Sequence, residues 1–203
     1  MENEEQTKSQ SAGWARSPIW LILFALVSAA VIIGAVLGKP LFKFGAKSPA
    51  VASKQYLDDD QGFSLTYPGK WHKLNAKEIA AFDGAFAFAI RRSRPHALFS
   101  IKSQKVQTKS VDLNQVAKSL DEAMPKSFKN FKKINEKLFE INRRPALKYD
   151  YIFTAESALE VREQLIVVDA GDKVFHLTAW SNAKDFSRIE PDFSKVISSF
   201  AIR

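Results

Sequence analysis

The chain has 203 residues, of which 46% are apolar and 12% aromatic, and this composition supports a hydrophobic core and excludes an intrinsically disordered chain. Its 30 basic and 22 acidic residues give a net charge of +8, with +3 in residues 1–55 and +5 in residues 56–203, which is too evenly spread for a nucleic-acid-binding stripe. No cysteine is present, which excludes disulfides, thiolate metal sites, cysteine nucleophiles and a lipid-modified N-terminal cysteine.

An uncharged segment near the N-terminus has the length of a membrane span. From Ser17 to Gly38 the chain carries no charged residue, and 22 helical residues at about 1.5 Å each cross a hydrocarbon core of roughly 30 Å. The sequence therefore predicts a polar tail over residues 1–16 and a single transmembrane helix over residues 17–38. A cleaved signal peptide is the nearest alternative, but its apolar region is normally shorter and a small-residue cleavage site follows it closely.

The flanks of this segment leave its orientation open. Four lysines lie after it between residues 39 and 54, against Lys8 and Arg16 before it. This excess of positive charge after the segment favours a cytoplasmic position for the C-terminal part of the chain. The free amino terminus adds a positive charge before the segment and reduces the excess. Within the segment, Ala30, Gly34 and Gly38 form a small-xxx-small strip, which predicts weak self-association by helix pairing.

After a linker over residues 39–55, the patterns predict one domain over residues 56–203. Alternating apolar residues predict strands at 63–67, 86–90 and 99–101, and hairpins formed by 132–141 with 146–154 and by 161–168 with 173–180.

Two amphipathic patterns predict helices within this domain. Asp112 can cap a helix whose apolar face reaches Met124 and which ends before Pro125. Apolar residues from Phe186 to Phe200 predict a C-terminal helix, with Pro191 starting its second part. Runs of hairpins with intervening helices predict an α+β class, with helices packed on the faces of an antiparallel sheet.

Both ends of this domain carry a family resemblance. Residues 62–71 read Gly-Phe-Ser-Leu-Thr-Tyr-Pro-Gly-Lys-Trp, which resembles the opening of PsbP-like domains. The Phe-His-Leu-Thr-Ala strand at 175–179, followed by Phe186, Pro191-Asp192-Phe193 and Ser199-Phe200, is similar to the last strand and helix of that family.

The resemblance implies an α/β/α sandwich around an antiparallel sheet and a role as an assembly or accessory module. The family it points to includes PsbP itself, which acts in photosynthetic membranes, and bacterial relatives that are membrane-anchored or lipoproteins. On this basis we expect the domain outside the cytoplasm. The family has no shared catalytic residues to carry across to this chain.

Catalytic, cofactor and metal motifs are missing from the sequence. His72, His96 and His176 have no second histidine or carboxylate at ligand spacing, and no nucleophile elbow or glycine-rich phosphate loop occurs. In the run Asp58-Asp59-Asp60-Gln61-Gly62, a calcium-loop register puts Leu57 at the first ligand position, so a solvated turn is the better interpretation. The sequence therefore predicts no catalytic residue, cofactor or metal site.

Two basic clusters remain as candidate contacts with a partner or with anionic lipid, although charge runs are often only solvated faces. They comprise Lys126, Lys129, Lys132, Lys133 and Lys137 in one stretch, and Arg91, Arg92 and Arg94 in another.

The leading functional hypothesis is a membrane-tethered, non-enzymatic module that binds a protein partner near the bilayer. The alternative is a carrier or sensor of a small apolar or anionic ligand in a phenylalanine-lined cleft beside the sheet. A hydrolase comes third, and would need one histidine beside a serine and a carboxylate.

Overall fold

The computed structural model describes residues 52–82, 86–107 and 110–203. The predicted polar tail, transmembrane helix and pairing residues Ala30, Gly34 and Gly38 lie outside these residues, as does most of the predicted linker. Within the described part of the chain, no helix is long and apolar enough to cross a membrane.

In chain order the elements are β1 (Lys54–Asp58), β2 (Phe63–Tyr67), β3 (His72–Lys73), α1 (Ala76–Ala80), β4 (Phe88–Ser93), β5 (His96–Lys105), α2 (Leu113–Ser127), β6 (Lys129–Ile141), β7 (Arg144–Thr154), β8 (Glu160–Asp169), β9 (Lys173–Asn182), α3 (Ala183–Ser199) and β10 (Ala201–Ile202).

Two antiparallel sheets organise these elements. The large sheet has seven strands in the order β3-β4-β5-β9-β8-β7-β6, and the small one has three in the order β1-β2-β10. All pairings in both sheets are antiparallel. The predicted α+β class with an antiparallel sheet is confirmed, and the second sheet is an addition that the sequence patterns did not predict.

The large sheet separates two hydrophobic cores because successive side chains of a strand point to opposite faces. On one face, Leu147, Tyr149, Tyr151 and Phe153 of β7 pack with the buried residues of α2. On the other face, α3 and the small sheet cover alternating residues of β5 and β9, such as Phe99. Helices therefore lie on both faces of the large sheet.

Four details differ from the sequence-based expectation. Helix α2 continues through Pro125 to Ser127, because the Phe128 N–H still donates to the Met124 carbonyl and completes the last turn. Helix α3 runs through Pro191 without a break. Phe86 precedes β4 and packs in the core opposite to that of Phe88, so the two do not share a face. Strand β1 begins at Lys54, inside the segment assigned to the linker.

Candidate functional site

The turn between β4 and β5 and the first half of α3 form a cleft of about 420 Å³, which we call the arginine cleft. Arg92 and Arg94 reach it from the turn, and Arg188 reaches it from α3. His96 also lines it, and Asp185 is its carboxylate. With Lys70 and Asp192, which contact each other next to Arg92, four basic groups stand against two carboxylates, and this excess makes the cleft electropositive. The sequence predicted Arg92 and Arg94 as candidates but missed Arg188, which is about one hundred residues away along the chain.

Asp192 on α3 holds Arg92, one of the residues that line the arginine cleft. Its Oδ2 accepts hydrogen bonds from Arg92 at 3.1 Å and from the Trp71 indole at 3.1 Å, and it lies 2.9 Å from the Lys70 Nζ. Burial alone would raise the pKa of Asp192, but the hydrogen bonds from Lys70 and Trp71 and the charges of Lys70 and Arg92 outweigh burial and lower it. Asp192 therefore stays ionised and fixes the orientation of Arg92.

The arginine cleft also gathers the residue types of a hydrolytic triad. Ser93, His96 and Asp185 all line it. However, Asp185 accepts a hydrogen bond of 3.0 Å from Arg188, and within the described part of the chain no side-chain hydrogen bond links His96 to Ser93 or Asp185. A nucleophile and its base need that hydrogen-bonded chain.

Arg91 and His72 form a separate group beside the cleft. Glu78 of α1 accepts from Arg91 at 2.9 Å and lies 3.0 Å from the His72 Nε2. Burial raises the pKa of Glu78, but the Asn75 N–H and the two basic side chains together lower it. Asn75 and Glu78 also form a reciprocal capping box that starts α1. Arg91 is therefore neutralised by a structural ion pair.

The second basic cluster lies on β6, the edge strand of the large sheet. Lys126 ends α2, and Lys129, Lys132 and Lys137 follow on β6; all four are exposed, and we call them the lysine edge. No ion pair or hydrogen bond engages their side chains among residues 52–82, 86–107 and 110–203. Lys133 differs, because Asp121 and Glu136 lie 2.6 Å and 3.0 Å from its Nζ.

The arginine cleft and the lysine edge lie at the same end of the large sheet but near its opposite edges. The register places the Ser93–His96 turn, Asn182, Thr154 and Lys129 at that end. Five strand steps separate β4 from β6, and a twist of about 20° per step turns the two strands by about 100° relative to each other. The two predicted clusters therefore face different directions and do not form one flat basic surface.

Several polar side chains lie on the face of the large sheet that α2 partly covers, and we call them the polar row. Glu163 lies opposite Trp180, and Lys102 opposite His176, on neighbouring strands. Glu163 is 2% exposed and its Oε1 accepts a hydrogen bond of 2.5 Å from Tyr151. Within the described residues, its Oε2 and the Trp180 Nε1 have no hydrogen-bond partner.

Burial dominates the titration of this row. It raises the pKa of Glu163 to about 7, although the Tyr151 hydrogen bond and the Lys102 charge act in the opposite direction. Burial and then the Lys102 charge lower the pKa of His176 to about 4. The sequence patterns did not single out Glu163, although its place in the apolar alternation of Val161, Leu165 and Val167 was a usable signal.

An apolar pocket of about 430 Å³ lies where α2 meets β6. Phe128 and Phe153 line it, with Lys129, Thr154 and Glu156 at its polar positions. It has the phenylalanine lining that the small-ligand hypothesis requires. No cluster of three metal-ligating side chains occurs among the residues that the structure describes, and Asp58 accepts from the Gln61 N–H in the turn before β2.

The comparisons with known proteins agree with this fold. A model of the PsbP family matches residues 52–202. The chain is similar to the solution structure of cyanobacterial PsbP (CyanoP) from Synechocystis sp. PCC 6803, with a TM-score of 0.56 and 16% identity over 81% of this chain and 100% of that one.

Two further solved structures share the architecture. A Bacteroides thetaiotaomicron VPI-5482 protein has a TM-score of 0.54 and 17% identity over 74% of this chain and 48% of its own. The Ran-binding protein Mog1p of Saccharomyces cerevisiae has a TM-score of 0.51 and 8% identity over 75% of this chain and 96% of its own. These identities show a common fold alone. No curated protein sequence matches the chain.

Proposed function

The chain belongs to the PsbP family, and we propose that its domain is a non-catalytic accessory module that is tethered to a membrane and binds an acidic protein partner near the bilayer. Family membership confirms the predicted resemblance and supports an accessory or interaction role. The uncharged segment at residues 17–38 supports the tether.

The observation that carries this proposal is the exposed outer side of β6. This strand has 13 residues and pairs only with β7 among the described strands. Ile134 and Leu138 on it are 42% and 48% exposed, and the lysine edge surrounds them. A long edge strand with exposed apolar side chains offers backbone donors and acceptors to an added strand.

Charge selects which strand can dock there. Lysines on an edge repel a second copy of the same edge, which blocks self-pairing. They attract an acidic strand and speed its encounter. Asp121, Glu136 and Glu140 offset Lys133 and part of the remaining charge, but the four lysines of the lysine edge leave this surface net positive. We therefore assign the surface to an acidic segment of a partner protein.

Charge reversal tests the proposal. The full-length chain with Lys132→Glu and Lys137→Glu, extracted from native membranes in mild detergent, should lose its co-purifying partner by at least tenfold. Lys77→Glu with Lys195→Glu gives the same charge change at exposed positions away from β6 and should retain it. Equal retention by both variants, or equal loss, contradicts the assignment to β6.

We also propose that the domain lies outside the cytoplasm, as expected for relatives of this family. The lysines at residues 39–54 favour the opposite side. Protease treatment of intact cells that carry a C-terminal tag should remove the tag. A tag that survives until the membrane is lysed would refute this location and leave the fold and the lysine edge unaffected.

The small-ligand alternative is favoured by one specific observation. An apolar pocket of about 430 Å³ is lined by Phe128 and Phe153 where α2 meets β6, and apolar-lined pockets of this size are typical of small-ligand sites. If the chain carries a ligand there, native mass spectrometry of the chain purified from its own membranes should detect an added mass. Ser127→Trp, which adds bulk at an exposed lining residue, should then reduce its occupancy, whereas an unmodified mass in every preparation argues against a carrier.

A further inference from the structure

We infer that the arginine cleft binds the phosphate group of an anionic phospholipid, so that the domain docks against the bilayer to which it is tethered. This inference rests on the tether in the proposed function and adds a ligand class and a site to it. The acidic partner on the lysine edge is a separate contact, because five strand steps of about 4.8 Å each separate β4 from β6.

The cleft has the donor chemistry that a phosphate group needs. A guanidinium presents a planar fork of N–H donors that matches phosphate oxygens. Arg92 is fixed by Asp192 and by the Arg94 carbonyl, which accepts from its Nε at 2.9 Å. Arg188 is held by Asp185. Within the described part of the chain, the Arg94 guanidinium has no carboxylate partner.

The path of the chain brings this cleft to the tethered end of the domain. Lys54, the first residue of β1, pairs with Tyr67 at the end of β2. The turn after Tyr67 carries Lys70 and Trp71, both of which contact Asp192, the partner of Arg92. The chain therefore enters the domain at the end that carries the arginine cleft.

The length of the linker permits this docking. Fifteen residues separate Gly38 from Lys54, and a chain of that length reaches at most about 50 Å. The domain is therefore held within reach of the head groups. Each arginine near an anionic surface raises the ratio of docked to undocked domain roughly fivefold, which corresponds to about 1 kcal/mol. This attraction falls off within a Debye length of the surface.

The lack of cysteine in the chain allows a direct test with the full-length protein. Ser187→Cys places a fluorophore on the exposed residue next to Arg188, and the labelled chain is reconstituted in nanodiscs that carry a head-group quencher. Neutral phosphatidylcholine nanodiscs are compared with discs in which about one lipid in three is phosphatidylglycerol, a fraction that brings the surface potential into the range of anionic membranes. Arg94→Glu with Arg188→Glu is the test variant, and Lys77→Glu with Lys195→Glu, at exposed positions outside both surfaces, is the control of equal charge.

We expect stronger quenching with the anionic lipid, its loss in the arginine variant and its retention in the lysine control. Equal quenching in both lipids, or quenching that the arginine variant retains, overturns the assignment of the cleft to lipid. A fluorescence change with inorganic phosphate in neutral discs, without extra quenching by phosphatidylglycerol, assigns the cleft to a soluble anion and also overturns it. Failure of the proposed tether is distinguishable, because a chain without a membrane span would not co-purify with neutral discs.

Discussion

Two buried titratable groups, Glu163 and His176, should oppose each other in the pH dependence of folding. Glu163 holds its proton to a pKa of about 7 in the folded domain, against an ordinary value of 4.5. The unfolded chain therefore binds fewer protons than the folded one between pH 4.5 and 7. This group contributes stability that is present below pH 4.5 and lost as the pH rises to 7. His176 has a folded pKa of about 4, against 6.5, and its contribution is lost as the pH falls from 6.5 to 4.

The two contributions are similar in size. The difference between each folded pKa and its ordinary value corresponds to about 3 kcal/mol. Both side chains are more than nine-tenths buried, so solvent screening reduces neither value greatly. As the pH rises from 4.5 to 6.5, the stability that Glu163 contributes falls while the stability that His176 contributes rises. The wild-type chain should therefore show little net slope from this row, and each single substitution should expose the other group.

Urea unfolding followed by tryptophan fluorescence tests this compensation, because Trp71 and Trp180 are buried. As the pH rises from 4.5 to 7, the wild type loses about 3 kcal/mol of stability because its buried Glu163 carboxyl ionises, and Glu163→Gln does not lose it. Measured in the same detergent, the difference in stability between Glu163→Gln and the wild type should therefore shift by about 3 kcal/mol in favour of the variant. His176→Gln should gain a similar amount relative to the wild type as the pH falls from 6.5 to 4, because it lacks the loss caused by the buried imidazole. Parallel pH profiles for all three chains would refute the assignment of these pKa values.

Four further substitutions have expected effects on stability. Asp192→Ala should cost about 2 kcal/mol, because it leaves the Trp71 indole and Arg92 without their acceptor. Asp185→Ala removes a partly exposed pair and the acidic residue in the first turn of α3, and should cost no more than about 1 kcal/mol; equal losses would show that Asp192 is not the anchor. Arg143→Gly should stabilise by up to about 1 kcal/mol, because Arg143 has a φ of 65° in the β6–β7 turn, and a destabilised variant in thermal unfolding would contradict this. Asn75→Ala should cost about 1 kcal/mol by removing the cap of α1, and an unchanged melting temperature would count against the cap.

The strands and long helices of the fold could be predicted because their signals are local. Phe63, Leu65 and Tyr67 alternate as expected for β2, and Asp112 caps α2 through the N–H groups of Asn114 and Gln115. Strand β1 could not be predicted because its sequence, Lys-Gln-Tyr-Leu-Asp, has no apolar alternation, and β10 could not because it has only two residues; their pairing with β2 makes them strands. The prolines of α2 and α3 misled the prediction, since packing of an apolar face can retain a helix across a missing N–H.

The candidate site was harder to predict because its parts come together through space. Arg92 and Arg94 stand out in the sequence as a basic run, but only the packing of α3 brings Arg188 to them. The lysine edge also reads as a basic run, and its position on an edge strand depends on the order of strands in the sheet. Glu163 could have been found from its inward phase on β8, yet the missing partner of its Oε2 is visible only in the folded domain.

Docking of an acidic partner on β6 is tested most directly by photo-cross-linking in intact cells. A photoreactive residue at Ile134 should link the full-length chain to one partner protein, and Lys132→Glu with Lys137→Glu in the same chain should abolish that product. A probe at Leu57, which is similarly exposed at 44% but lies on β1, should not yield it. The same product from both positions, or an Ile134 product that survives the charge reversal, would contradict docking on the lysine edge.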